Sequence, residues 1–280
     1  MGDIKKDLRM KDQKKIFLNA GELLSRVRLR KPLVHHLTNW VTIYDCANIV
    51  KVAGASPVMA HAPEEAAAMS SLASSLVLNI GTLDAGLIES MKLAAASANR
   101  KKIPVILDVC GAGATDFRTS KCLELIDQAK IGIIKGNASE IAAVAGEAVL
   151  TKGVDSTEIL QDHAEIAKKM ARKHKCTVVI TGEKDVISNG RKTYLISNGH
   201  IMMSDIVGTG CMAASCIGAF IAVEKDLVYA ASSALLCFEI AAELASRRAK
   251  GPASFKAQLF DCLYKLDNNH IKKLQKIERI

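Results

Sequence analysis

The 280-residue chain is 49% hydrophobic but only 4% aromatic, so its core is built from Ala, Val, Ile and Leu, which suits an α/β protein with buried parallel strands. Its formal net charge of +9 is local: residues 1–31 hold ten Lys/Arg against four acids, the body is near neutral, and a nucleic-acid-binding stripe is disfavoured. Eight cysteines without a C-x-x-C pair argue against a zinc site or disulfide framework and point to a reduced, cytoplasmic protein.

Residues 1–31 read as a basic, solvated arm and the start of a first helix. Charge continues to Lys15 with no apolar run behind it, so no secretion signal is expected. Residues 32–280 carry no repeat and no linker-like tract, and read as a single domain. In "PLVHHLTNWVT" (32–42) two histidines stand side by side on a strand. Adjacent strand residues face opposite sides, so one of His35 and His36 is expected buried and the other exposed. In "AGASPVMAHAPEEA" (53–66), Met59 is a packing or a recognition residue.

Short β-branched runs at 74–83, 103–113, 131–137 and 177–185 are apolar almost throughout, as strands covered on both faces should be. Helical stretches lie between them at 84–100, 118–128, 139–145 and 157–174. This alternation predicts a mostly parallel sheet with helices on both faces. Residues 191–207 read as a hairpin turning at Asn198–Gly199, and the chain beyond Cys211 reads as wholly helical. The apolar stretch 211–223 is too short to span a bilayer and 227–245 contains Glu239 and Glu243, so both are expected as buried helices, not membrane spans.

In open α/β sheets, ligands bind beyond the carboxyl ends of the strands. Four runs break there into glycine or polar residues. "LDVCGAGAT" (107–115) ends a strand on Asp108, which either meets a metal or substrate or caps the next turn. "KGNASE" (135–140) has the spacing of a capping box from Asn137 to Glu140. The same residues also suit a metal-bound water at Glu140 and a phosphate at Lys135. In "VVITGEKD" (178–185) the Thr181 hydroxyl meets a nucleotide or a backbone carbonyl. "IVGTGCMAASCIGAF" (206–220) runs Gly208, Thr209, Gly210 and Cys211 straight into a helix, converging unpaired N–H groups and the positive dipole end on one anion-binding point. No Walker motif is present, and no acid follows at the ribose-binding spacing of a dinucleotide fold.

In order along the chain, "HHLTNWV", "AGASPVMA", "EEAA", "LNIGTL", "LDVCGAGAT", "KGNASEIAAVAG", "VVITGEKDVISNG" and "GTGC" resemble the hydroxyethylthiazole kinase family over roughly Pro32 to Ala245. The resemblance implies a ribokinase-like, three-layer α/β/α sandwich with a mostly parallel central sheet. It implies ATP- and Mg²⁺-dependent phosphorylation of the primary alcohol of 4-methyl-5-(2-hydroxyethyl)thiazole in thiamine salvage, by a homotrimer with sites between subunits. Carried onto matching positions, it puts Met59, Gly208 and Asn39 at the thiazole, and Lys135, where the family often has arginine, with Thr181 at ATP. Asp108 and Glu140 would organise Mg²⁺, and Cys211 would stand where ribokinase relatives carry an aspartate as catalytic base. The chain departs from the family pattern at Val109–Cys110, where proline and valine are usual, and at Val207, where threonine is frequent.

A thiol at a helix N-terminus has a lowered pKa, but a neighbouring phosphate raises it again. Cys211 is therefore expected to act as a weak base or hydrogen-bonding partner, not as a covalent nucleophile. Two other functions are weighed. A ribokinase-fold kinase for another small vitamin-precursor alcohol is disfavoured by "SPVM" together with "GTGC". A non-catalytic nucleotide-binding protein is disfavoured by Asp108, Glu140 and the glycine loop.

Overall fold

A computed structural model describes residues 14–147 and 156–280. Residues 1–13, most of the expected arm, lie outside it. Among the described residues, ten strands form one sheet in the order β1-β10-β9-β8-β7-β6-β5-β4-β2-β3. Its parallel half consists of β2 (Leu33–Leu37), β3 (Ser56–Val58), β4 (Ser75–Asn79), β5 (Val105–Asp108), β6 (Ile133–Asn137) and β7 (Thr177–Thr181). The antiparallel half adds β8 (Asp185–Ser188), β9 (Thr193–Ile196), β10 (Ile277–Arg279) and β1 (Lys14–Lys15).

Helices cover both faces, giving the three-layer, ribokinase-like arrangement. One layer holds α1 (Ala20–Arg30), α2 (Ile43–Ala53) and, from the C-terminal half, helices 209–221, 227–246, 252–265 and 268–274. The other holds α3 (Pro63–Leu72), α4 (Ala85–Arg100), α5 (Asp116–Gln128), α6 (Ala138–Ala145) and α7 (Ser156–His174). The C-terminal helices are α8 (Thr209–Ile221), α9 (Leu227–Ser246), α10 (Pro252–Lys265) and α11 (Asn268–Leu274). Strand residues alternate between layers: Val77 and Ile106 pack with α8 and α9, whereas Leu76, Leu78 and Leu107 pack on the other side. Helix α9 is long and apolar enough to cross a membrane, yet it is buried almost throughout and packs against α1, α8 and α10.

Three local expectations are corrected. His35 and His36 are both fully buried, because β2 is an interior strand with helices over each face. His35 is satisfied by Ser70 Oγ and the Ala60 carbonyl, each at 2.8 Å, while burial drives the His36 imidazole down to about 3. The hairpin turns at Asn189–Gly190, joining β8 to β9, not at Asn198–Gly199. Asn198 is instead tied to Glu243, the Leu274 carbonyl and Lys276 N, and residues 201–205 form a 3₁₀ turn. The C-terminal part is not wholly helical, since β10 returns to pair with both β9 and β1. Within the basic segment, Lys14–Lys15 join the sheet edge and Leu23, Leu24 and Val27 bury the apolar stripe of α1, so this part is docked structure.

Candidate active site

The strand register builds the site. Asn79, at the end of β4, is the cross-strand partner of Asp108, and Asp108 is the partner of Lys135. Directly paired residues point to one face, so three polar side chains form a row at the carboxyl edge of the parallel half. All three are buried. Asn79 Nδ2 donates to Asp108 Oδ2 at 2.8 Å, and Lys135 Nζ lies 3.5 Å from Asp108 Oδ1.

Helix α8 begins over this row. Its N-cap, Gly208, has φ +94°, a left-handed conformation that favours glycine, and a Cβ there would come within 3.0 Å of Thr42 Cβ. No side chain caps the helix start. A Cβ on Gly210 would stand 3.1 Å from Lys135 Nζ, so the ammonium lies directly against the first turn. Positive dipole end and lysine cation thus meet at one point, an arrangement an anion relieves.

Cys211 sits in that turn and is nearly buried. Its sulfur accepts from Asn79 Nδ2 at 3.3 Å and from Asn39 Nδ2 at 3.4 Å. Asn39 Oδ1 in turn accepts from the Thr42 backbone N–H and hydroxyl, both at 3.0 Å. The neighbouring Cys110 thiol is the largest influence on Cys211. With Thr42, Lys135 and Asn39 it outweighs burial and holds the thiol down at about 5. The same pairing drives Cys110 far up. Burial lifts the Asp108 carboxyl to about 7 against the pull of Lys135. Burial also pulls on the Lys135 ammonium, but Asp108, Cys211 and Glu140 outweigh it and hold the group above the usual lysine range.

Glu140 and Asn137 form the complete capping box of α6. Glu140 Oε2 accepts from Asn137 N at 2.7 Å, and Oε1 accepts from Gly111 N at 2.8 Å across the neighbouring loop. Asp108 makes its contacts with Lys135 and Asn79 rather than capping a turn. No group of three or more His, Cys, Asp or Glu suited to a metal occurs among the described residues. Mg²⁺ keeps several waters and needs only one or two carboxylates alongside phosphates. Each Glu140 oxygen retains a lone pair beyond its backbone bond, which fits such a hydrated ion. Asp108, held by an ammonium and an amide, fits it only through water.

Beside the α8 start lies a cavity of 680 Å³, lined among others by Thr181, Gly182, Asn198, His200, Thr209 and Gly210. The Thr181 hydroxyl donates to the Gly136 carbonyl at 3.4 Å, and that of Thr209 to the Met203 carbonyl at 3.0 Å. Asp185 and Glu239 are both buried in the cavity wall, where burial raises both carboxyls and leaves Asp185 Oδ2 and Glu239 Oε2 without hydrogen-bond partners among the described residues. Met59 stands apart from the polar row, just after β3. Its carbonyl meets His61 Nδ1 at 3.1 Å, and His61 Nε2 receives the Thr38 N–H at 3.0 Å, which ties this loop to the segment bearing Asn39.

The structure thus brings Asn39, Asp108, Lys135, Gly210 and Cys211 together, with Glu140 on the adjoining loop and Thr181 on the nucleotide-sized cavity. Four participants escaped sequence reasoning: Thr42, Asn79, Cys110 and Arg118. A polar residue closing the apolar run "SLVLN" was the signal for Asn79. Arg118 donates to the Ile80 and Gly81 carbonyls at 3.1 and 3.0 Å, fastening the loop after β4. Nothing in the sequence pattern signals it.

Residues 24–269 match the hydroxyethylthiazole kinase family. The chain is 52% identical over 257 residues to the hydroxyethylthiazole kinase of Methanosarcina mazei, covering 92% of this chain and 98% of that one. It is 46% identical to the hydroxyethylthiazole kinase of Desulfatibacillum aliphaticivorans, over 94% of this chain and 98% of that one. The solved structure of hydroxyethylthiazole kinase from Pyrococcus horikoshii superposes with a TM-score of 0.87 at 42% identity, over 93% of this chain and 98% of that one. A Staphylococcus aureus pyridoxal kinase, at 15% identity and a TM-score of 0.57, shares the fold.

Proposed function

The chain belongs to the hydroxyethylthiazole kinase family, and we propose from that premise how its residues phosphorylate the thiazole alcohol in thiamine salvage. ATP is the phosphoryl donor. Its nucleoside part occupies the 680 Å³ cavity beside Thr181, and its transferring phosphoryl group lies against the N–H groups of Thr209, Gly210 and Cys211 with the Lys135 ammonium beneath. Preorganised donors of this kind stabilise the charge that spreads over the phosphoryl oxygens during transfer. Mg²⁺, held by Glu140 and through water by Asp108, would neutralise phosphate charge. The thiazole alcohol enters beside Asn39, Met59 and Gly208.

The observation that carries this reading is the convergence on Cys211. Asn39 and Asn79 donate to the Cys211 sulfur, and Cys110, Thr42 and Lys135 beside it help to hold that thiol below the usual cysteine range, which favours the proton-accepting form. It accepts the alcohol proton as the oxygen bonds to phosphorus and ADP departs, so no sulfur–phosphorus bond is needed. Trp40, Val41, Tyr44 and Val207 are exposed apolar residues flanking the Thr42–Gly208 contact. They favour a subunit contact at the site mouth, in a cytoplasmic homotrimer whose thiazole sites lie between subunits. A coupled ADP-release assay with the thiazole alcohol tests the whole reading: alcohol-dependent ADP and a phosphorylated product are expected. Phosphorylation of other small alcohols in preference to the thiazole would overturn it.

A further inference from the structure

The opposite end of the sheet carries a second cavity, of 700 Å³, at the amino ends of β6 and β7 beside Gly132 and Thr177. The candidate active site lies at the carboxyl ends of the same strands. Basic residues from four separate segments line the second cavity. Lys130 follows α5, Arg172 and Lys175 come from the end of α7 and the turn after it, Arg191 lies in the β8–β9 turn, and Lys225 precedes α9.

Against these five cations stands one lining carboxylate, Asp226. It is already engaged: Oδ1 caps α9 through Tyr229 N, and Oδ2 pairs with Lys192 Nζ, both at 3.2 Å. None of the five forms an ion pair among the described residues. Basic residues in the last turn of α7 complement that helix's dipole, which explains Arg172. It does not explain Lys130, Arg191 and Lys225, which arrive from other elements.

Arg172 is the most committed of the five. Its Nε donates to the Gly190 carbonyl at 2.9 Å, and Gly190, at φ +81°, has no Cβ to displace the stem; one there would come 2.5 Å from Arg172 Cγ. The two terminal amino groups of the guanidinium make no hydrogen bond among the described residues, and so present a fixed fork of donors. Such a fork matches paired phosphate oxygens. Concavity and volume suit a metabolite-sized ligand rather than a polymer lying along a surface.

We propose that this cavity is a second ligand site for a phosphorylated small molecule, its phosphoryl oxygens gripped by the Arg172 fork and neutralised by Lys130, Lys175, Arg191 and Lys225. The proposal stands independently of the reaction assigned above. It is tested by calorimetric titration of pyrophosphate into the full chain with the nucleotide site saturated by a non-hydrolysable ATP analogue and Mg²⁺. One pyrophosphate per chain is expected, with affinity falling as salt rises. Arg172→Gln and the double variant R191E/K225E should each weaken it by about tenfold or more. Turnover and melting temperature should stay near those of the parent; because Arg191 and Lys225 are exposed, R191Q/K225Q supplies a milder second variant should the charge reversal fail to fold. No saturable binding with the analogue in place, or equal affinity in the parent and the folded variants, overturns the proposal.

Discussion

Helices α6 and α8 both begin at the carboxyl edge of the parallel strands, and their first turns are finished in opposite ways. At α6 the chain satisfies itself: Asn137 takes the Glu140 N–H, and Glu140 takes the N–H groups of Asn137 and Gly111. At α8 it does not. Gly208 offers no side chain, and the lysine beneath Gly210 adds positive charge to a turn already rich in unpaired donors. A helix start that fills its own hydrogen-bonding capacity stabilises the fold, whereas one left open is poised for an anion. Damage at α8 should therefore appear in kinetics, and damage at α6 partly in stability.

The largest kinetic loss is expected from Lys135→Met, which removes the cation under the α8 turn. The resulting kcat/KM should fall about a thousandfold, while Lys135→Arg, which keeps the charge, should restore most of it. A Met variant of near-parental activity would break the contrast at its strongest point. Gly208→Ala forces a Cβ toward Thr42 from a left-handed backbone. It should cost about a hundredfold in kcat and about 1–2 kcal/mol of stability, read by steady-state assay and denaturant titration. Glu140→Gln sharpens the other half of the comparison. It turns an acceptor oxygen into an amide facing a backbone N–H, so about 1–2 kcal/mol of stability should be lost. A Mg²⁺ titration of its activity then separates two roles: a higher Mg²⁺ requirement supports the metal contact, and an unchanged one leaves Glu140 as a cap.

This contrast was half visible in the sequence. The spacing of Asn137 and Glu140 announces a cap, and Gly208 to Cys211 announces an anion site, because both signals are local and repeat wherever helices start. The parallel strands were equally legible, since burial on both faces leaves nearly unbroken apolar runs. What was not legible depends on register. Asn79, Asp108 and Lys135 are far apart in sequence and become neighbours only once β4, β5 and β6 align. The misplaced hairpin has a related cause. Asn189–Gly190 and Asn198–Gly199 are equivalent as turn formers, and the choice is made by pairing of β9 with both β8 and β10. One of His35 and His36 looked free to face solvent because nothing in "HHL" records that β2 is an interior strand with helices over both faces.

Cys110 gives the subtlest test, because it departs from the family pattern and touches the site only through another residue. Its thiol is the foremost influence lowering the Cys211 pKa. A group whose folded pKa is depressed stabilises the fold above its ordinary pKa, and that stability is lost as pH falls through the folded value, here about 5. In Cys110→Val this influence disappears while Asn39, Thr42 and Lys135 remain, so Cys211 should titrate at higher pH. Thiolate absorbance should record that shift directly. The acid limb of kcat/KM should move upward in pH with it, leaving the alkaline plateau almost unchanged. If absorbance moves and the limb does not, the limb belongs to Asp108, whose carboxyl burial lifts to about 7, and proton acceptance passes from the sulfur to the carboxylate 2.8 Å from Asn79. The open helix start would then keep its phosphate role and lose its base.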